Sequence, residues 1–351
     1  MAILPDNCRD SLKNKYYIHM RENPITVEML LDQIIGLNFI QIAAIPLILL
    51  VVLEWVFTII QKKDYYNSLD TLSATFIGLV NVGLSALLKI GIFGVILFFY
   101  NIIPWSIPTH WWTYVLCIIA LDFFRYWSHR LTHVNRFWWA THVTHHNSEK
   151  YNLSVAFRLG WTQHIKFIFF IPVILMGFNP VVFFICHQVE VLYQFWVHTE
   201  YIRKLPAPIE YIFVTPSHHR VHHSSNKKYL DKNFGSTFII WDRLFGTFQE
   251  EKEQTLYGIT TPLNTYNPIT LNFHEWKDIF LDVYKSRSLK EGYAMLFTSP
   301  SKLDAVKAEF KSFYLLEQEQ LNMVDAKFIK KNAPKKSQEE GLVLSNQIFK
   351  S

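Results

Sequence analysis

Gln33–Leu53 reads QIIGLNFIQIAAIPLILLVVL, 21 residues without an Asp, Glu, Lys or Arg. A helix needs about 20 apolar residues to cross a hydrocarbon core, so the stretch predicts a membrane span. Pro46 is tolerable in it because neighbouring helices in lipid can satisfy a freed backbone group. Outward from this run, Lys62 and Lys63 close it, Thr71–Leu88 is uncharged up to Lys89, and Ile90–Leu121 is uncharged with a turn at Pro104–Pro108. That pattern predicts one long bent span, a short turn and another span. Phe167–Val189 is again uncharged, but Gly177, Phe178, Asn179 and Pro180 split it into pieces too short to cross alone. A helical hairpin dipping into the bilayer is expected there.

Composition agrees with a lipid-facing chain. Of 351 residues, 50% are hydrophobic, 16% aromatic and 18% charged, with a mean hydropathy of +0.11. Soluble chains carry roughly 25% charged residues. The net charge of +5 is too small and dispersed for a nucleic-acid partner, but suits an anionic membrane surface. Cys8, Cys117 and Cys186 are too scattered for a disulfide framework or a CxxC zinc site.

Between Phe123 and Lys166 six basic residues stand against Glu149 alone, which places that segment on the cytoplasmic side, with the uncharged Pro104–His110 turn opposite. The start of the chain has no basic n-region followed by an apolar h-region, so no removable signal peptide is expected. After about Phe245 no long apolar run occurs. The expected class is an all-α integral membrane protein of about four transmembrane helices carrying a cytoplasmic histidine-rich helical cap. Its expected parts are an N-terminal segment 1–30, a membrane domain 31–250 and a cytoplasmic tail 251–351. Its membrane would be a bacterial inner membrane or the endoplasmic reticulum. Trp105, Trp111, Trp112, Trp138 and Trp139 fall near span ends and read as interfacial anchors.

Twelve of the fifteen histidines lie within His129–His223. His129 and His133 are four apart in HRLTH, which sets both rings on one helical face. HVTHH (His142, His145, His146) and HRVHH (His219, His222, His223) have i, i+3, i+4 spacing. Neutral imidazole is the commonest metal ligand, and eight such rings exceed what one ion accepts, so two ions are expected. Imidazole alone suits several metals. The blocks contain no bridging carboxylate and no thiolate, and they sit at helix ends facing lipid, which favours iron and oxygen chemistry over zinc. A metal transporter would instead line a path at mid-bilayer.

The order HxxxH, HxxHH, HxxHH on such a scaffold resembles the membrane di-iron fatty acid hydroxylase and sterol desaturase superfamily, over roughly Ile103–Phe248. Within it, Tyr151–Ser154 (YNLS), Leu192–Glu200 (LYQFWVHTE), Thr215–His223 (TPSHHRVHH) and Ile240–Phe248 (IWDRLFGTF) are most similar to the branch that cleaves alkylglycerol ethers. The resemblance implies a ninth ligand, His198, and a membrane monooxygenase that uses O2 to hydroxylate a lipid C–H bond. Its electron donor would be tetrahydrobiopterin or a small redox protein, the latter in the sterol and fatty-acyl hydroxylases and desaturases. Val134 departs from the branch, where an acidic residue is expected.

Ligating histidines usually donate their second ring nitrogen to a carboxylate or carbonyl. Asp122, seven residues before His129, is a candidate for that supporting role. Gln194, Glu200, Asp231, Asp242 and His218 are further ones. His187 falls on the face of Gln194 and His198 and is either a channel-lining or a satisfied buried residue. The Asn233–Gly235 turn and the WDRLFG stretch would either close a lid over the metal cap or serve packing alone. His19, His110, His164 and His274 have no partners by spacing.

Overall fold

The computed structural model describes residues 24–34 and 39–332. Cys8, His19, most of the 1–30 segment, residues 35–38 of the first expected span and the end of the tail lie outside the described residues. The described chain is helical, and its only β pairing is two isolated bridges, Phe213 with Phe238 and Ser224 with Tyr257. It forms two compact units, divided between Leu281 and Asp282.

The first unit is built on four long helices, α1 (Phe39–Ile60), α2 (Ser68–Asn101), α3 (Trp111–Val134) and α4 (Pro180–Trp196). Two of them are long and apolar enough to cross a membrane, α1 over Ile42–Ile60 and all of α2. Only 17% of each apolar window is buried, and Ile45, Ile60, Leu87 and Ile90 are two-thirds or more exposed. A soluble core helix buries such residues; a band this large needs an apolar surrounding. The first span therefore sits later than Gln33–Leu53, whose start falls in a separate short helix, Val27–Ile34. The long second span appears as expected, 34 residues or about 51 Å of helix, with Lys89 inside it over the rings of Phe93 and Phe184.

Local chemistry explains where these helices begin. The Asn67 side chain accepts from the backbone N–H groups of Leu69 and Asp70 and starts α2. Thr113 Oγ1 accepts from His110 N at 3.0 Å and donates to Pro108 O, which starts α3. Asn179 caps Val181, with Pro180 at the first position of α4, where its missing N–H costs nothing.

The expected hairpin is a 3-10 segment (Gln163–Phe170), a short helix (Ile171–Leu175), a turn at Gly177 and α4. Gly177 has φ +93°, and a Cβ there would meet Trp105 Cδ1 at 2.9 Å. This turn packs on the Pro104–Pro108 turn, through Ile107 N to Gly177 O at 2.9 Å and Trp105 Nε1 to Leu175 O at 3.1 Å. From that end α3 rises about 27 Å from Trp111 to His129, and α4 rises about 24 Å from Pro180 to Trp196, with His198 just past its end. The histidines thus gather at the end of the bundle opposite the two turns. Between lies one apolar core, joining Phe93, Leu97 and Tyr100 of α2, Cys117 and Leu121 of α3, and Phe183 and Cys186 of α4.

Beyond α4 the cap is short and irregular: helices Ala207–Ile212, α5 (Pro216–His222) and Ile240–Leu244, followed by α6 (Pro268–Lys285). The second unit, beginning within α6, holds the helices Leu289–Phe297 and Leu303–Asn332. In it Tyr314 donates to Glu291 at 2.8 Å.

Candidate metal centre

The structure brings together all nine expected histidines, in two groups. His129, His133, His142, His146 and His222 form one, and His145, His198, His219 and His223 the other. Within each group one ring nitrogen from every residue lies within 4.8 Å of the rest. The partition follows from helical geometry. Residues four apart point the same way, so 129 with 133, 142 with 146, and 219 with 223 stay together. The middle histidine of each HxxHH box, His145 or His222, crosses to the other group.

Ring nitrogens face each other across short gaps. His129 Nε2 is 2.9 Å from His142 Nε2, and His146 Nε2 is 3.2 Å from the same atom. In the other group His198 Nε2 lies 3.2 Å from His145 Nε2 and 3.0 Å from His219 Nε2, which is 3.2 Å from His223 Nε2. A neutral imidazole has one N–H, so such a web cannot be satisfied by protons alone. Nor is it protonated throughout. Burial pushes the seven that lie outside α3 down, His198 and His222 to about 4. Nitrogens of His133, His145, His219 and His222 are buried without any hydrogen-bond partner. Converging lone pairs with orphaned donors or acceptors fit a cation in each group.

Backbone carbonyls fix several rings. His129 Nδ1 donates to Phe234 O at 2.9 Å, His222 Nδ1 to Lys232 O at 3.0 Å and His198 Nδ1 to Gln194 O at 2.8 Å, leaving each Nε2 as the lone-pair atom. Gln194 therefore acts through its carbonyl; its side chain donates to Glu190 O. Asp242 acts one step further out, accepting from the backbone N–H groups of Phe234 and Gly235 at 2.7 Å each, and so fixes the carbonyl that holds His129. Asp231 stands 3.9 Å from His133 Nδ1. Asp122 does not reach His129; it accepts from Thr237 N, Phe238 N and Trp241 Nε1, binding α3 to the cover loop. Glu200 accepts from Tyr257, and His218 pairs with Glu210 at 3.0 Å. His187 packs on Phe170 and Phe183.

Several participants were not legible in the sequence. Trp139, read as an interfacial anchor, lies with its ring centroid 5.2 Å from that of His133 and 5.6 Å from that of His146, walling the five-histidine group. Tyr151 lies 5.3 Å from His223 and 5.8 Å from His198, and its hydroxyl donates to Val197 O. Three arginines, each about 1% exposed, brace the boxes. Arg136 reaches Glu275 at 2.6 Å, Arg158 joins Asp70 to Thr144 O, and Arg220 joins Glu251 to Thr199 O and Ile202 O. Arg136, three residues after the first box, and Arg220, within the third, were the available signal; Arg158, twelve residues past the second box, carried none.

A helical scaffold with two helices long and apolar enough to cross a membrane, ending in two buried imidazole groups that could each hold a metal ion, is the arrangement of a histidine-box protein. Residues 114–247 match the fatty acid hydroxylase family, so this part of the chain carries a fatty acid hydroxylase domain. It is 42% identical to the alkylglycerol monooxygenase of Homo sapiens over 199 residues, covering 56% of this chain and 44% of that one. Against the alkylglycerol monooxygenase of Caenorhabditis elegans identity is 32% over 282 residues, 77% of this chain and 54% of the other. An ornithine lipid hydroxylase of Rhizobium tropici is 29% identical over 157 residues, 42% of this chain and 45% of that one. The chain thus spans about half the length of the curated relatives it matches. No solved structure matches it.

Proposed function

We propose that the protein is a membrane monooxygenase in which the nine histidines hold two iron ions and which hydroxylates a lipid, an alkylglycerol ether being the best-supported substrate. The observation that carries this reading is the pair of adjacent, separately complete imidazole groups, joined to the likeness to alkylglycerol monooxygenases. The finer topology belongs to the same proposal: four membrane-embedded helical segments, with the histidine cap on the cytoplasmic side.

Iron bound in the two groups would activate dioxygen for insertion into a C–H bond. The chain supplies geometry and a dry setting. Phe234, Lys232 and Gln194 carbonyls hold three rings in the ligating tautomer. Six of the nine histidines are at most 7% exposed, which excludes water from the groups. Attack at the carbon beside the ether oxygen would give a hemiacetal, which separates into a fatty aldehyde and a glycerol. Two electrons are needed per turnover, and tetrahydrobiopterin is the proposed source. Val134, where the resemblance expects an acid, is 39% exposed at the end of α3.

Purified protein in detergent, given an alkylglycerol, oxygen and tetrahydrobiopterin, should release fatty aldehyde in an amount matched by pterin oxidation. Pterin oxidation without aldehyde would remove the ether lipid as substrate. Activity that appears only with a reductase and a small redox protein would instead favour a sterol or fatty-acyl hydroxylase.

A further inference from the structure

Behind the four-histidine group lies a second feature that the proposed reaction has not used. A cavity of about 990 Å³ opens on the cap, lined by five acidic and five basic side chains together with Tyr151 and Tyr257. So many charges exclude an alkyl chain, which would have to shed them from water contact. The lipid must come from elsewhere, and the exposed apolar faces of α1 and α2 offer it a side to come from.

The cavity shares a wall with the metal groups. Tyr257 stacks on Tyr151 with centroids 4.9 Å apart and planes 13° from parallel. Tyr151 in turn lies against the rings of His198, His219 and His223. The stack is held in place. Tyr257 donates its hydroxyl proton to Glu200 and accepts from Thr255 Oγ1 at 2.7 Å, while Tyr151 donates to Val197 O at 2.9 Å. Its segment is tied to the residues that follow the third box, by the Ser224–Tyr257 bridge and Ser225 N to Leu256 O at 2.7 Å. Arg220, within that box, also lines the cavity. Two aromatic rings in contact therefore join a polar, water-side cavity to the four-histidine group.

We propose that this cavity binds the electron donor, a small planar reduced heterocycle bearing both hydrogen-bond donors and acceptors, and that the Tyr257–Tyr151 stack conducts its electrons to the four-histidine group. This rests on the monooxygenase reading. The overall reaction balances as the lipid C–H, O2 and the reduced donor giving the lipid C–OH, water and the oxidised donor. One oxygen atom enters the C–H bond and the other leaves as water, and the donor gives up two electrons and two protons. Mixed carboxylates and cations suit such a ligand, because its amide-like edge offers both N–H and C=O groups. Aromatic stacking on the Tyr257 side adds affinity at little entropic cost. Access from the cavity keeps the water-soluble donor and the lipid on separate routes.

The test uses the full chain in detergent, with tetrahydrobiopterin as probe. Anaerobic equilibrium dialysis against metal-free protein should show saturable binding at one site. Leu256→Trp, at a 61% exposed position on the cavity wall, should weaken binding about tenfold or more, a loss of roughly 1.4 kcal/mol. In metal-loaded protein, Tyr257→Leu should slow single-turnover reduction by the probe at least about tenfold, with metal content unchanged. Absent binding, binding indifferent to Leu256→Trp, or reduction at the wild-type rate in Tyr257→Leu would overturn the proposal. Binding and reduction without oxidation of any lipid would instead remove the lipid reading and leave the cavity assignment in place. Lipid oxidation driven solely by a redox protein, with no probe binding, would do the reverse.

Discussion

The two histidine groups reach similar ends by different means. The five-histidine group draws every donor from the three boxes, and its rings are fixed from outside by the Phe234 and Lys232 carbonyls of the cover loop. The four-histidine group depends on His198, a lone histidine past the end of α4, fixed by a carbonyl of its own helix. Its surroundings are the Tyr151 ring and the Arg220 brace rather than the cover loop. The difference teaches which part of such a centre is local in sequence. A box at i, i+4 spacing organises itself wherever a helical turn forms, whereas a ligand from another helix needs the bundle to be assembled first.

The largest effect should fall on the four-histidine side. Arg220 is 1% exposed and joins the third box to Thr199 O and Ile202 O, on the segment that presents His198. Arg220→Ala removes the donor of two carbonyls and the partner of Glu251, which water in the cavity can still solvate, and losing hydrogen bonds to a charged group of this kind costs about 1.5–3 kcal/mol. Thermal unfolding in detergent should show a lowered midpoint, with metal lost from the four-histidine group first. An unchanged midpoint would mean that the His198 segment does not need this brace.

Acidity should act on both groups alike. His198 and His222, one from each, titrate at about 4 because burial disfavours the charged ring, against roughly 6.5 in an unfolded chain. Between those values the unfolded state holds protons that the folded state lacks, so stability falls as the pH drops, by about 1.4 kcal/mol per unit for each such residue. Metal-free protein should therefore unfold at progressively lower temperature from pH 6.5 towards 4, and change little above 7. Loaded protein should resist until protons displace the ions. A midpoint flat across this window would contradict the buried, neutral state of the rings.

A subtler contrast separates supporting residues. Asp242→Ala frees the loop that aims Phe234 O at His129, and loss of such support typically costs 10- to 100-fold, so metal affinity of the five-histidine group should fall by about that factor. Gln194→Ala keeps the carbonyl that holds His198 and should leave metal affinity within a few-fold of wild type. Titration with a metal chelator reads both. An effect of Gln194→Ala as large as that of Asp242→Ala would show that the amide does more than reach Glu190 O.

These contrasts also mark what the sequence made legible. Helical periodicity exposed the boxes, since HRLTH and the two HxxHH runs carry their geometry within a single turn. The crossing of His145 and His222 between groups follows from the same 3.6-residue repeat, although spacing alone did not assign it. Apolar length found α2 well, but displaced the first span towards the N-terminus, because Gln33 and Ile34 belong to the preceding short helix while Glu54 is buried within α1. Asp122 illustrates the limit. Its position on α3 was right, yet its partners, Thr237, Phe238 and Trp241, lie more than a hundred residues away and carry no local pattern. Trp139 and Tyr151 were hidden for the same reason, as an aromatic side chain reads alike in a membrane interface and beside a metal group.

Metal counting tests the central claim most directly. His145 and His146 are neighbours in the chain but belong to different groups, so the single substitutions His145→Ala and His146→Ala probe the two groups from one site. Anaerobically purified wild-type protein should hold two iron ions per chain, one for each group. Each variant should lose chiefly one ion, and the sites they empty should differ spectroscopically. A wild-type chain that holds a single ion, or two variants that empty the same site, would contradict a centre divided between five and four histidines.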